Sequence, residues 1–277
     1  MDSYCVSFRP EVEMEENLPP LAGMDDPRII DLLGRAAGVL LPAHVSPWRY
    51  LKMTGLARNW FPRLDVQFNS RGKTKQAFLF QKLGVRHPET LVFQNPQNLQ
   101  DHLNLHGSPW GYPFVLKGDL GGGGDTVFPV FEPEETATHL AKLPKDGPLL
   151  IQKCVAHGGK DLRVVVYADQ AVSYFRVGGG RFYNNICRGA KLDHDGWPEL
   201  QQKGVAAALA FSARAGIDIA GYDLMFPDDG EPVFIEVNFH FGRKGLGGAK
   251  EHSRHVLRAI WRWRARAMSG KLSAECL

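Results

Sequence analysis

The sequence predicts a mixed fold of helices and strands that opens with a small α/β unit. Two observations support this prediction. Helix and strand signals alternate over residues 1–68, as they do in units built on parallel strands. Further along, apolar segments at residues 222–226 and 232–237 flank Pro-Asp-Asp-Gly, a sequence typical of a turn, so together they predict a β-hairpin.

The other elements are predicted from local patterns. Asp26-Pro27 and Ser46-Pro47 each place a capping side chain before a proline, which is typical of a helix start. We predict helices over residues 26–37, 46–58, 73–83, 204–215 and 251–268. We predict strands over residues 4–8, 38–41, 64–68, 149–154, 162–167 and 171–177, and a loop and strand over residues 112–118.

The composition is that of an ordinary globular protein. A length of 277 residues allows one large domain or two modest ones. The net charge of +3 is spread along the chain apart from the last helix, so we expect no nucleic-acid partner. The sequence shows no secretory signal and no apolar segment that would cross a bilayer, so we expect no membrane partner and a cytoplasmic location. The four cysteines lie far apart, which argues against a disulfide framework and against zinc.

The predicted hairpin brings oxygen-bearing side chains together. Paired positions in a hairpin have a constant sum of residue numbers, here about 458, so we expect Asp223 opposite residue 235 or 236. Because side chains alternate along a strand, Glu236 and Asn238 share one face, and the apolar residues 233, 235 and 237 take the other.

These three side chains predict a metal site. Two carboxylates so close repel each other unless a cation lies between them. Hard oxygen ligands favour Mg²⁺, with Mn²⁺ as an alternative, so Asp223, Glu236 and Asn238 are the predicted metal ligands. A surface hairpin with solvated acids is the alternative interpretation.

A lysine before a glycine run predicts a phosphate site. Lys117 ends an apolar strand just before the glycines 121–124, whose backbone N–H groups can approach phosphate oxygens closely. A flexible turn with a solvated lysine is the alternative. Lys73, at the start of a helix, is a second candidate phosphate contact. The segment around it is not a Walker A loop, because Gln67 stands where that motif needs its first glycine.

Two basic segments are harder to interpret from the residues alone. A second glycine-rich loop at residues 178–189 follows Arg176, and arginines beside a metal–phosphate site stabilise charge in a transition state. An ordinary loop has the same composition. The last helix carries five arginines with Trp261 and Trp263. A helical spacing that predicts a packed apolar face, opposite a solvated basic face, is shown by Val256, Leu257, Ile260, Trp261 and Ala267. Contact of that basic face with a membrane surface or an acidic partner is the alternative.

Taken in order, these features resemble the ATP-grasp superfamily, most of all its ribosomal-protein glutamate ligase (RimK-like) branch, near glutathione synthetase. The resemblance covers the chain from about Lys73 to Gly248. The segments that carry it are Lys73 before LGVRHPET, Lys117 before the glycine loop, LLIQKCV at 149–155, KDLRVVV at 160–166, Arg176, NICRGA at 185–190, AGYDLM at 220–225 and IEVNFHFG at 235–242.

The resemblance implies an α+β fold. It is the ATP-grasp fold of two α+β subdomains that hold nucleotide between them, preceded by a shortened N-terminal α/β region. The implied domains are residues 1–68, residues 69–148 with the glycine loop, and residues 149–277 with the metal site and the C-terminal helix. Because the N-terminal region is short, a homodimer is a further expectation.

The resemblance also implies roles for individual residues. The phosphates of ATP would lie against Lys73, Lys117, Gly121, Gly122 and Gly123. The adenine would lie along Gln152, Lys153, Cys154 and Val155, and the ribose near Asp161. Mg²⁺ would be held by Asp223, Glu236 and Asn238, which agrees with the hairpin argument. The catalytic positions near the acyl phosphate would be Arg176, Asn185 and Arg188.

The implied activity is an Mg²⁺- and ATP-dependent carboxylate–amine ligation through an acyl phosphate, with release of ADP and phosphate. Its substrates would be a small-molecule or peptide carboxylate and an amine. The chain departs from the family pattern at Lys153, on the adenine side. It also departs at Tyr183, at Phe241 and in the basic, glycine-rich segment 242–248, which would face the acceptor, so we expect substrates other than glutamate or glutathione. The alternatives are a nucleotide-binding regulatory or sensing module without turnover, an ATP-grasp kinase, and a protein that binds a partner through its last helix.

Overall fold

The computed structural model describes residues 3–178 and 189–270. Its helices are α1 (Pro27–Arg35), α2 (Pro47–Leu56), α3 (Asp65–Asn69), α4 (Lys73–Lys82), α5 (Pro96–His106), α6 (Glu135–Leu140), α7 (Pro198–Ala215) and α8 (Ala249–Met268), with a 3₁₀ turn at Lys244–Leu246. Its strands are β1 (Cys5–Ser7), β2 (Glu16–Asn17), β3 (Gly38–Leu40), β4 (Trp60–Phe61), β5 (Thr90–Phe93), β6 (Phe114–Gly118), β7 (Val127–Val130), β8 (Leu149–Lys153), β9 (Lys160–Tyr167), β10 (Gln170–Val177), β11 (Lys191–Asp193), β12 (Ile219–Met225) and β13 (Val233–Asn238).

The strands of the described ranges form three sheets. The first sheet, in the order β2-β1-β3-β4, is parallel, which confirms the predicted α/β unit at the start of the chain. The second sheet, β5-β8-β6-β7, and the third, β11-β10-β9-β12-β13, are antiparallel. None of the helices in these ranges combines the length and apolar character that crossing a membrane would need.

The predicted strand at residues 64–68 is wrong, because this segment is the helix α3. The last strand of the first sheet lies earlier, at Trp60–Phe61. The Tyr50 hydroxyl accepts a hydrogen bond from the Leu64 backbone N–H (3.1 Å), and the Phe68 ring packs edge-on against Tyr50 at 5.3 Å. Tyr50 thus contacts both Leu64 and Phe68. Residues four positions apart lie on the same face of a helix, so these contacts favour a helix here.

The C-terminal hairpin has the predicted pairing, with one irregularity. Asp223 pairs with Glu236, as predicted, but Leu224 pairs with Phe234, so Ile235 has no partner on β12. Such an extra residue is a β-bulge, and it interrupts the alternation of side chains along the strand. Ile235 therefore lines the same cavity as Glu236, and its predicted place on the opposite face is wrong.

Helix α7 covers the third sheet. It begins at Pro198, earlier than the predicted residue 204, because proline is well suited to the first turn of a helix. Gly204 lies inside the helix against Leu162 of β9, where any side chain would collide. Phe211 packs edge-on against Tyr222 of β12 at 5.7 Å. The helix thus holds together the two strands that carry much of the candidate site.

Helix α8 joins the first sheet to the third. Its Trp263 ring lies against Gly38 of β3, where an added Cβ would lie 2.8 Å from the ring. On its basic face, Arg262 and Arg266 both pair with Asp169, at 2.6 and 3.0 Å. The predicted packed face is confirmed at Ile260 and Ala267 but is wrong at Leu257 and Trp261, which are exposed, because the buried ring is that of Trp263. Part of the basic face is matched by Asp169 in the turn after β9.

Replacing Trp263 with alanine is expected to lower the free energy of unfolding by about 3–5 kcal/mol, because a large buried ring is removed from between α8 and β3. Denaturant titration measures this loss. Trp261→Ala is the matched control, since that ring is 45% exposed whereas Trp263 is 4% exposed. The control is expected to change stability by no more than about 0.5 kcal/mol. Equal losses in the two variants would contradict the packing described for α8.

Candidate active site

A cavity of about 640 Å³ lies between the second and third sheets, a volume within the range of small-molecule sites. The structure brings most of the predicted site residues to its lining: Lys73, Lys117, Gly121, Gly122, Gly123, Gln152, Lys153, Cys154, Val155, Asp161, Arg176, Asp223, Glu236 and Asn238. The other two predicted catalytic residues, Asn185 and Arg188, lie outside the described residues.

Lys117 is a buried ammonium group at the cavity wall. It lies on β6 and is 8% exposed. Burial, together with the smaller effect of the charge of Lys73, lowers the pKa of Lys117 to about 8 against the attraction of Glu236. Within the described part of the chain, its ammonium has no hydrogen bond or ion pair. An anion in the cavity would supply the partner that a buried charge requires.

The glycine loop is tied to the start of α4. The Asp119 carboxylate accepts hydrogen bonds from the Thr74 backbone N–H (2.8 Å) and from the Thr74 hydroxyl (2.6 Å). The backbone carbonyl of Asp119 accepts a third from the Lys73 backbone N–H (2.9 Å). The Lys73 ammonium donates to the Gly121 carbonyl at 2.9 Å. Gly72 has a φ of +101°, and any side chain there would collide with Asp119. Asp119 therefore caps α4 and orients its first residue, Lys73, toward the loop.

The end of β8 forms a wall of the cavity with one unsatisfied polar atom. Gln152 donates its amide N–H to the Thr90 hydroxyl at 2.9 Å, while its amide oxygen is buried and has no partner among the described residues. An orphaned acceptor of this kind fits a ligand that carries an N–H donor, such as an exocyclic amine. The next side chain, Lys153, pairs with Glu89 at 2.7 Å, so its charge is matched within the chain.

Two ion pairs lie side by side on β10, β9 and β12. Arg176 is opposite Asp161 in the ladder, and Arg163 is opposite Asp223. Each arginine donates two hydrogen bonds, at 2.7 and 2.9 Å from Arg176 to Asp161 and at 2.5 and 3.1 Å from Arg163 to Asp223. Arg176 also reaches Asp223 at 3.0 Å and links the two pairs. All four side chains are buried, where an unpaired charge would be strongly destabilising.

Asp223 and Glu236 face each other across the hairpin in different surroundings. Burial alone would raise the pKa of Asp223, but Arg163 and Arg176 hold it below its usual value. The pKa of Glu236 is raised, mainly by burial and to a smaller extent by the negative charge of Asp223. The Glu236 carboxylate has no hydrogen bond or ion pair to another described residue. Asn238 donates its amide N–H to Asp223 at 3.3 Å, which leaves its amide oxygen available.

This donor set fits a hard divalent cation. It offers one carboxylate without a partner, a second carboxylate beside it and an amide oxygen, which are ligands that Mg²⁺ accepts together with water and phosphate oxygens. Arg163 and Arg176 already occupy oxygens of Asp223, so Glu236 is the carboxylate with more lone pairs available to a metal ion.

Sequence reasoning missed Arg163 and Asp119. Arg163 stands two positions after Asp161 on the same strand, so the alternation of side chains puts both on one face. This alternation could have identified Arg163 as a site residue from the sequence. Asp119 gave no comparable signal, because its hydrogen bonds to Thr74 join segments 45 residues apart.

Replacing Asp119 with alanine is expected to lower the free energy of unfolding by about 1 kcal/mol, the usual effect of losing a helix cap. Asp119→Asn is the control, because its amide oxygen still accepts from Thr74 and should preserve most of the stability. Both values come from denaturant titration. A fully stable alanine variant would show that Asp119 does not support α4.

No family model matches the chain. Curated relatives match part of it. N-acetylaspartylglutamate synthase A from Homo sapiens is 31% identical over 172 residues, which are 59% of this chain and 42% of that protein. A probable alpha-L-glutamate ligase from Marinobacter nauticus is 30% identical over 187 residues, which are 65% of this chain and 59% of that protein. The chain thus spans about half the length of these curated relatives.

Solved structures match more of the fold. The D-alanine–D-alanine ligase from Bacillus anthracis complexed with ATP has a TM-score of 0.56 at 17% identity, covering 96% of this chain and 98% of that one. A RimK domain ATP-grasp protein from Sphaerobacter thermophilus has a TM-score of 0.55 at 15% identity, covering 82% of each chain. Identities this low support the fold alone. They show that this chain has the ATP-grasp fold, and the sequence relatives show that it is similar to ligases of the RimK-like branch.

Proposed function

We propose that the chain is an Mg²⁺- and ATP-dependent carboxylate–amine ligase. The observation that carries this proposal is a pair of unmatched opposite charges in one cavity. The Lys117 ammonium and the Glu236 carboxylate both line it and attract each other, but neither forms a direct hydrogen bond or ion pair with a described residue. A metal–nucleotide complex presents an anion and a cation together and would match both. The relatives are named as a synthase and a ligase, which supports this class of reaction.

The glycine loop and the two lysines would hold the phosphates. Gly121, Gly123 and Gly124 have positive φ values, so backbone N–H groups in this loop can turn toward an anion without steric conflict. Residues 152–155 would take the adenine, whose amine would donate to the free amide oxygen of Gln152. The ATP complex of the Bacillus anthracis ligase supports ATP as the nucleotide.

Asp161 has a second task besides its proposed contact with the ribose. Both of its carboxylate oxygens accept hydrogen bonds from Arg176, so it fixes the direction of that guanidinium in the cavity wall. Arg176 is thereby suited to stabilise charge that develops on the transferred phosphoryl group. Asn185 and Arg188 remain proposed catalytic residues outside the described ranges.

The proposed reaction needs positioning and charge neutralisation more than a protein nucleophile. Glu236, Asp223 and Asn238 would hold Mg²⁺, which when bound neutralises phosphate charge. The substrate carboxylate attacks the γ-phosphate, forming an acyl phosphate as the bond to ADP breaks. The amine then attacks the acyl carbon, phosphate leaves, and the amine proton passes to solvent or a nearby base.

The remaining part of the cavity lining is basic and aromatic, with Tyr174, Phe241, Arg243 and Lys244 among its residues. Neither Arg243 nor Lys244 forms an ion pair with a residue of the described ranges. Unmatched cations favour an anionic group on one of the two substrates. A cytoplasmic location, which supplies ATP, and a homodimer are also part of the proposal.

Glu236→Gln tests the metal site most cleanly, since Asp223 variants would also leave the buried Arg163 without its ion-pair partner. We expect the Mg²⁺-dependent part of ADP affinity to fall at least about tenfold, because the substitution removes a charged metal ligand while preserving shape. Glu231→Gln on the same hairpin is the control, as its side chain is 56% exposed. Calorimetry measures both. Unchanged Mg²⁺ dependence in Glu236→Gln would remove the metal assignment.

The reaction itself is tested by incubating the protein with Mg·ATP and a small-molecule cell extract. We expect ADP release together with a new mass equal to an acid plus an amine minus water. A phosphorylated acid without that product would indicate a kinase. Nucleotide binding with no ADP in any mixture would indicate a sensing module, and either result would reject the ligase.

A further inference from the structure

Gln76 connects helix α4 to the strand that carries two of the candidate metal ligands. Its side-chain amide donates to the Val237 carbonyl at 2.9 Å and accepts from the Val237 N–H at 3.0 Å. Both hydrogen bonds are buried, and they join residues 161 positions apart. Val237 stands between Glu236 and Asn238 on β13.

The position of β13 in its sheet explains why this contact is available. It is an edge strand, so its outward backbone N–H and C=O groups have no partner within the sheet. Buried backbone groups of this kind require hydrogen bonds. The Gln76 amide supplies one donor and one acceptor and so replaces a neighbouring strand at Val237.

The same helix presents Lys73 at its first position. Lys73 and Gln76 lie about one turn apart, so the helical backbone sets their separation. Gln76 holds the backbone of Val237, whose side chain packs into the core, while Glu236 and Asn238 line the cavity. Helix α4 is therefore a rigid link between the candidate phosphate lysine and the candidate metal strand.

We propose that Gln76 is a positioning residue that sets the affinity of this site for a divalent cation, by holding Glu236 and Asn238 in place relative to Lys73. The inference rests on the proposed function. Gln76 touches neither metal nor nucleotide on this account and acts through the backbone of Val237. Partners that orient metal ligands typically change metal affinity about 10–100-fold when they are removed.

The test uses Mn²⁺ and ADP with the full chain. Gln76→Met has similar length and loses both hydrogen bonds, whereas Gln76→Glu keeps an acceptor but has no donor for the Val237 carbonyl. Gln81→Met and Gln81→Glu, on the exposed side of the same helix, are the matched controls. Free Mn²⁺ is followed by its paramagnetic resonance signal during titration, and ADP affinity is measured separately in EDTA.

We expect half-saturation by Mn²⁺ to require at least about tenfold more cation in both Gln76 variants, with ADP affinity in EDTA and both Gln81 controls near wild type. The EDTA measurement shows that the nucleotide site is folded. A purely structural role would lower thermal stability without changing the cation dependence.

Two outcomes separate this inference from the proposed function. Gln76 variants with wild-type Mn²⁺ dependence would overturn the inference and leave the proposed function intact. If the wild-type protein itself shows no cation-dependent ADP binding, the proposed function fails and this inference falls with it.

Discussion

Two buried arginine–aspartate ion pairs on β10, β9 and β12 constrain the rest of the site. Asp161, Arg163, Arg176 and Asp223 are buried together, and the strand register sets each arginine directly opposite its aspartate. Removing one member would leave an unpaired charge in a low-dielectric interior, a strongly destabilising change. The four groups thus form a neutral, rigid wall of the cavity. Any cation or anion that binds there must be matched by other residues.

Those other residues are Lys117 and Glu236, which attract each other but form no direct hydrogen bond or ion pair in the described ranges. Charged groups are rarely buried in this state, and perturbed pKa values of this kind cluster at functional sites. Burial lowers the pKa of Lys117 and raises that of Glu236, so each charged form would gain from an opposite charge in the cavity. An anion beside Lys117 and a cation beside Glu236 would therefore stabilise their charged forms.

The scaffold around the cavity is held by contacts between distant segments. Helix α4 carries two of them, through Asp119 at its start and through Gln76 to the edge of β13. At the other side of the third sheet, α8 packs Trp263 against Gly38 and so attaches the first sheet. The Arg63 guanidinium donates two hydrogen bonds to Oδ1 of Asp218, between the first sheet and the turn before β12. The cavity is therefore positioned by all three sheets.

Features that depend on neighbours along the chain could be predicted from the amino-acid sequence. The hairpin turn placed Asp223 opposite residue 235 or 236, and the lysine before four glycines predicted the loop at the cavity, because turn geometry and glycine conformations are local properties. The bulge at Ile235, the helix at residues 65–69 and the contact of Gln76 with Val237 depend instead on the folded chain. Local patterns allowed either outcome at these positions. The choice came from packing and hydrogen-bonding partners far away in sequence, which no local pattern encodes.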